Sequence, residues 1–247
     1  MIYGLVGFGV GLVVGSFLNV CIYRLPAGKS IVFPGSACPA CGAALGVQDL
    51  VPVLSFIWLR GRCRRCGKPI SIQYPLVELM TGIMFAVIAA AYGLTTGSLI
   101  VAVFACLLTV AAWTDLNTGL IPDRVTLPGL GAGLALSLIS PDLTLPGAVA
   151  GALISGGVVY LIAVLSRGGM GGGDVKLMAM IGAFLGWRSG LLTLFLGALI
   201  GSVVGVTRIA LGMQKRREPM PFGPYLALGA VVTIFIGETL LRFLGWT

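Results

Sequence analysis

Residues 2–22 read IYGLVGFGVGLVVGSFLNVCI, without one charged side chain. A helix needs about 20 such residues to cross a hydrocarbon core of about 30 Å. Only a helix or a closed barrel can satisfy its own backbone polar groups there. Seven more apolar segments follow, at 76–93, 98–114, 124–140, 146–165, 174–187, 189–208 and 224–244. They predict an all-α polytopic integral membrane protein with about eight transmembrane helices. Composition agrees: 57% of residues are hydrophobic, 10% are charged and the mean hydropathy is +1.05, where soluble domains carry about 25% charged residues. No basic segment precedes the first apolar run and no small-residue cleavage site follows it, so it reads as a retained span.

One long polar stretch, 24–75, interrupts the pattern. The expected organisation is a first transmembrane helix (1–23), a cytoplasmic metal-binding domain (24–75) and a seven-helix membrane core (76–247). Orientation follows from lysine and arginine, which favour cytoplasmic loops. With 24–75 inside, fourteen of the sixteen basic residues fall inside; only Arg188 and Arg242 fall outside. Both termini then face away from the cytoplasm. The sixth segment is short, since the thirteen residues between Asp174 and Arg188 make about 20 Å of helix. A single span over 175–207 would put Arg208 to Arg217 on the wrong side, so two crossings are expected. The net charge of +8 clusters in loops without interleaved aromatics, which argues against a nucleic-acid partner. Glycines at four-residue spacing (Gly7, Gly11 and Gly15; Gly197, Gly201 and Gly205) predict close helix packing in lipid.

Within the polar stretch, CPACG begins at Cys38 and CRRCG at Cys63. Two Cys-x2-Cys knuckles, each followed by a glycine, suit tetrahedral zinc held by Cys38, Cys41, Cys63 and Cys66. Four thiolates leave no open position, so the expected site is structural and the domain zinc-ribbon-like. Two disulfides are the alternative, disfavoured on a reducing cytoplasmic side. The apolar run from Val51 to Leu59 is too short to span; it packs on the knuckles or lies in the interface. Cys21 and Cys106 read as packing residues.

The chain has no histidine, which removes serine–histidine, cysteine–histidine and HExxH chemistry. Eight acids remain. Asp123 follows Pro122 and suits a helix cap. Asp142 sits in a turn. Glu78 fits either the positive end of its helix or a contact with the cysteine stretch or a ligand. Glu238 lies deep in the last apolar segment, where it could face the interior. Asp115 ends the third segment, the wrong helix pole for an anion, and no capping role explains it. Asp174 follows the glycine-rich run GGMGGGD at the start of the sixth. Ionisable groups at such positions are functional candidates. A pair of carboxylates can activate water with one member and polarise a peptide carbonyl with the other. Helix-end polarity alone casts Asp174 as the base and Asp115 as the acid. A transporter with broken helices or a zinc-bearing membrane adaptor are the rival classes.

GSFLNVCIYRLP from Gly15, the paired CxxCG knuckles, ISIQYPLVEL from Ile70, TDLNTGLIPD, GMGGGDVKLM with its GxGD core, and PFGPYLALG from Pro221 together resemble the type IV prepilin peptidases. The resemblance covers nearly the whole chain. It implies a bifunctional enzyme of the bacterial inner membrane. Such an enzyme removes the leader of prepilins or type II secretion pseudopilins after a glycine, at the cytoplasmic face. It then methylates the new N-terminal residue with S-adenosylmethionine. It maps the two family aspartates onto Asp115 and Asp174, and the cysteine tetrad typical of bifunctional members is intact. No glycine-rich βαβ fingerprint for S-adenosylmethionine appears, so the methyltransferase half rests on resemblance and a peptidase without it is the alternative.

Overall fold

The computed structural model describes residues 2–166, 169–213, 215 and 220–246. Eight α-helices follow in order: α1 (Ile2–Arg24), α2 (Leu54–Trp58), α3 (Gln73–Tyr92), α4 (Thr96–Thr118), α5 (Asp123–Leu136), α6 (Leu145–Leu165), α7 (Gly172–Ala210) and α8 (Gly223–Phe243). A short 3-10 turn covers Val47–Leu50. Among the described residues there is no strand, only two isolated bridges. The chain divides into two compact units, 1–110 and 111–247. The chain is a multi-pass membrane protein: six helices (α1, α3, α4, α6, α7 and α8) are long and apolar enough to cross a bilayer. The other predicted segments are helical too, but α5 has 14 residues, about 21 Å of helix.

In the first unit, α1 lies against α3 with almost no space between backbones. A methyl placed on Gly7 would fall 2.6 Å from the Phe85 carbonyl oxygen, on Gly11 2.6 Å from that of Thr81, and on Gly15 2.7 Å from Glu78 Cα. Small residues that let backbones approach supply the dispersion contacts that hold helices together in lipid. The predicted glycine face is therefore a packing face. Asn19 extends the seam by one turn, its Nδ2 donating to the Gly15 and Tyr74 carbonyls.

Glu78 settles between its two readings in favour of the cysteine stretch. Its Oε2 accepts the Val53 backbone N–H at 2.7 Å, which ties the apolar run to α3. The short helix α2 inside that run keeps Leu54, Ile57 and Trp58 exposed, while Phe56 packs under Gly61.

In the second unit, α7 is one helical run broken at Gly186, where φ is 76° and ψ is 172°. A positive φ of this kind is open to glycine and strained for other residues. A methyl on Gly190 would sit 3.4 Å from Gly182 Cα, although eight residues of continuous helix would separate them by about 12 Å. The chain therefore folds back at Gly186, and residues 172–185 and 187–210 are two arms. The sequence pattern places the break at Arg188, two residues later than Gly186.

The first arm is the core of this unit. Leu177, Met178, Met180, Ile181 and Ala183 are fully buried, as expected for a helix apolar on every side. Gly182 meets Gly151 of α6 so closely that a methyl on either would collide with the other's carbonyl oxygen. On the other side, Gly197 of the second arm meets Tyr225 and Leu226 of α8. Thr193 donates to Thr233 across the same seam at 3.1 Å. Phe195, Leu199, Val203 and Val206 point outward, as residues facing lipid do.

Glu238 departs from the expected interior position. It is 78% exposed and forms an ion pair with Arg242 one turn later. The helical phase of α8 turns position 238 outward. Asp142 is exposed in its turn, where its backbone N–H donates to Ser140.

Candidate active site and metal centre

The acid pair is assembled by three helix ends of the second unit. Asp115 lies in the last turn of α4 and is 5% exposed; Asp174 lies in the first turn of α7 and is 9% exposed. The two carboxylates are close enough to act on each other electrostatically. Each is held by the backbone of a glycine. Gly171 N–H donates to Asp174 Oδ2 at 3.2 Å, and Gly223 N–H to Asp115 Oδ2 at 2.8 Å. The Asp174 N–H returns a bond to the Gly171 carbonyl at 3.1 Å.

Asp115 is thus not stranded at a negative helix pole. The N-terminus of α8 points at it, supplying the positive pole that α4 cannot. PFGPY was legible as a motif, but nothing in the sequence places it beside position 115, 108 residues earlier. With both acids at a helix N-terminus, helix polarity no longer separates a base from an acid.

Ile121 closes the assembly. Its Cβ lies 3.1 Å from where a side chain on Gly173 would begin, and its Cδ1 3.1 Å from the same point on Gly223. The absence of side chains at both glycines lets one isoleucine fill the space between the two helix starts. Asp123, read as a helix cap, instead pairs with Lys176: both carboxylate oxygens accept from Nζ, at 2.6 and 2.7 Å. Of the run GGMGGGD, Gly168 lies outside the described residues, as do Glu218 and, among the basic residues used for orientation, Arg167, Arg216 and Arg217.

The cysteine stretch is two copies of one turn. Gly42 donates to the Cys38 carbonyl at 2.8 Å and Gly67 to that of Cys63 at 2.9 Å, with φ of 70° and 69°. Cys38 N–H and Cys63 N–H each close the loop at 2.9 Å, onto Ala43 and Lys68. The four sulfurs lie within 4.8 Å of one another, with Cys38 and Cys66 3.9 Å apart. Tetrahedral zinc with Zn–S bonds of about 2.3 Å puts sulfurs roughly 3.8 Å apart. All six cysteines are free thiols, so the disulfide reading does not hold. The donor set fits a metal ion.

The thiols themselves show why. Backbone N–H groups of Ala40 and Cys41 bring Cys38 down to about 6. Cys66, although the Lys68 backbone favours its thiolate, is pushed up to about 11 by desolvation and by the other three sulfurs. Four thiolates at this spacing repel, and a cation removes the conflict. Cys21 is buried and Cys106 half-buried in apolar helices, as packing residues are.

Comparison with known proteins places the chain in a family. Residues 10–92 match the bacterial peptidase A24 N-terminal domain, and residues 102–206 match the type IV leader peptidase family. A protein from Burkholderia pseudomallei (strain 1026b) is 40% identical over 269 residues, covering 96% of this chain and 86% of its own. One from Bacillus subtilis (strain 168) is 37% identical over 240 residues, covering 96% and 95%. One from Aeromonas hydrophila is 34% identical over 265 residues, covering 96% and 91%. All three are named prepilin leader peptidase/N-methyltransferase.

The chain belongs to the type IV leader peptidase family.

No solved structure matches it at a significant level. The family membership carries the peptidase class to the chain; the chemistry of the individual residues follows from the geometry.

Proposed function

We propose that this protein removes the leader peptide of type IV prepilins or type II secretion pseudopilins after a glycine, and N-methylates the residue so exposed. The observation that carries the proteolytic half is the acid pair, two buried carboxylates in one unit of a chain without histidine. Asp115 and Asp174 are the catalytic pair. One, ionised, takes a proton from water as it attacks the scissile carbonyl; the other, protonated, donates to the carbonyl oxygen. The tetrahedral intermediate then collapses as the leaving amine gains a proton. Such a pair titrates jointly, so the two roles belong to the pair.

Cys38, Cys41, Cys63 and Cys66 hold a structural zinc. It braces a stretch that has little core of its own, since none of its short helical segments buries a residue. The functional organisation proposed is a first transmembrane helix (1–23), the zinc-binding stretch (24–75) and the protease core (76–247). The chain crosses the bacterial inner membrane with its basic loops and active site on the cytoplasmic side. The two arms of α7 and the short α5 bring the crossings to about eight. S-adenosylmethionine is the methyl donor by likeness to the named relatives; no residue is assigned to it.

The test incubates the purified protein with a prepilin and S-adenosylmethionine, reading leader loss and methyl gain by mass spectrometry. Both are expected in the wild type, and neither cleavage nor the methylation that depends on it in Asp115→Asn or Asp174→Asn. A wild type that leaves the leader attached, or variants that remove it at the normal rate, would overturn the reading.

A further inference from the structure

The first turn of α8 is built to offer one backbone donor, and that donor goes to Asp115. A helix normally begins with several N–H groups lacking a partner inside the helix. Here Pro224 has none to offer, while Tyr225 and Leu226 donate to the Phe222 carbonyl at 3.0 and 3.1 Å. The remaining one, on Gly223, lies 2.8 Å from Asp115 Oδ2. Asp115 Oδ1 has no hydrogen-bond donor among the described residues.

Glycine is required at 223 for this approach rather than for backbone conformation, because its φ is not positive. A methyl there would lie 2.8 Å from Asp115 Oδ2 and 3.2 Å from Asp115 Cβ, and 3.1 Å from Ile121 Cδ1. The nearest atom is the Asp115 carboxylate oxygen itself, so the clash is relieved only at the expense of the carboxylate's position. The carboxylate would have to move.

We infer that the backbone N–H of Gly223 is a positioning group for leader cleavage: it fixes Asp115 Oδ2 and turns Oδ1 toward the water or carbonyl. Gly171 plays the matching part for Asp174 with a longer bond of 3.2 Å. The inference rests on the proteolytic reading of the acid pair. It adds that PFGPY acts through Asp115 without touching the substrate.

The test measures kcat and KM for leader cleavage in Gly223→Ala and in Gly223→Ala combined with Ile121→Ala. Misplacing a catalytic group by about 1 Å costs on the order of 100-fold. Gly223→Ala should therefore lose about 100-fold in kcat with KM changed by less than about 3-fold, since substrate binding is untouched. The double variant should be no faster. Normal kcat in Gly223→Ala would overturn the inference. So would recovery in the double variant, because crowding against Ile121 would then be the whole effect.

A second measurement does not depend on how the glycine variant folds. Amide exchange at Gly223, read by NMR on detergent-solubilised protein, should be slow in the wild type and faster in Asp115→Ala. Equal exchange in the two would overturn the inference. If the wild type does not cleave, or Asp115→Asn cleaves normally, the proteolytic reading fails instead, and the exchange result still stands or falls alone.

Discussion

Between Cys38 and Cys66 four sulfurs gather within 4.8 Å of one another, and Cys41 and Cys66 remain exposed. Asp115 and Asp174 gather two carboxylates at 5% and 9% exposure, beside an arm of α7 that carries the fully buried Leu177, Met178, Met180, Ile181 and Ala183. Both regions crowd groups that ionise to the same sign, and they relieve the crowding differently. The thiols sit on turns with little core, where a cation from outside the chain would relieve the repulsion. The carboxylates sit on helix ends, where glycine N–H groups donate to them at 3.2 and 2.8 Å. On the proposed function, the groups compensated by the fold stay free for proton transfer, and those compensated by a metal are locked as structural ligands.

The contrast breaks most visibly at the acids. On the proposed mechanism Asp115→Asn and Asp174→Asn each remove a proton carrier, and leader cleavage should fall by about 1,000-fold or more. Zinc content and thermal stability should stay close to the wild type, because the helix-end bonds can still be accepted by an amide oxygen. Variants that lose zinc along with activity would show the two regions to be coupled.

The next largest effect is expected at the cysteines. Cys63→Ser should reduce bound zinc, measured by atomic emission, from a single ion per chain to near none, since structural sites need all four ligands. Limited proteolysis should then cut within 36–69 while sparing the arm at 172–185. Equal resistance in wild type and variant would mean that the stretch does not rely on a metal.

Packing comes third. Gly182→Ala drives a methyl into the Gly151 carbonyl oxygen and against Ser155 Oγ at 2.8 Å. Overpacking at a backbone contact costs about 1–3 kcal/mol, visible as a lower thermal midpoint with the zinc site intact. An unchanged midpoint would show that α6 can shift to make room. Because Asp174 opens the same arm, cleavage should weaken with it.

These contrasts also show what sequence pattern can reach. Apolar segment length revealed the helices, and the short interval between Asp174 and Arg188 revealed a break within two residues of Gly186, because both depend on local order. The cysteine tetrad was legible for the same reason: knuckle spacing carries the ligand geometry. Asp115 and Asp174 were singled out by the cost of an acid at an apolar boundary. What held Asp115 was not legible, since its donor lies 108 residues away and only tertiary packing brings α8 to α4. Glu238 was misplaced for a related reason. Position along a helix is visible in sequence, but its facing depends on which stripe the neighbours bury.

The smallest expected effects lie in surface ion pairs, one in each region. Lys176 and Asp123 are 42% and 54% exposed in their side chains, so Lys176→Met should cost less than about 1 kcal/mol. In the cysteine stretch, Arg64 Nε binds Asp49 Oδ1 at 2.9 Å and the Gly46 N–H binds Oδ2 at 3.2 Å. The Arg64 bond first, then the Gly46 bond, hold the Asp49 carboxyl below its ordinary value of 3.8. A depressed carboxyl contributes stability above its unfolded value, and loses it as pH falls through the lower folded one. Comparison with Asp49→Asn isolates that contribution from the proton release of the thiols, which both proteins share. Wild type should exceed Asp49→Asn by less than about 1 kcal/mol near neutral pH, and the gap should close once the pH drops below 3.8. Added salt should narrow it at any pH, because an exposed pair is screened over about 10 Å at 0.1 M. A gap that persists in acid would mean that Asp49 supports its turn by shape rather than charge.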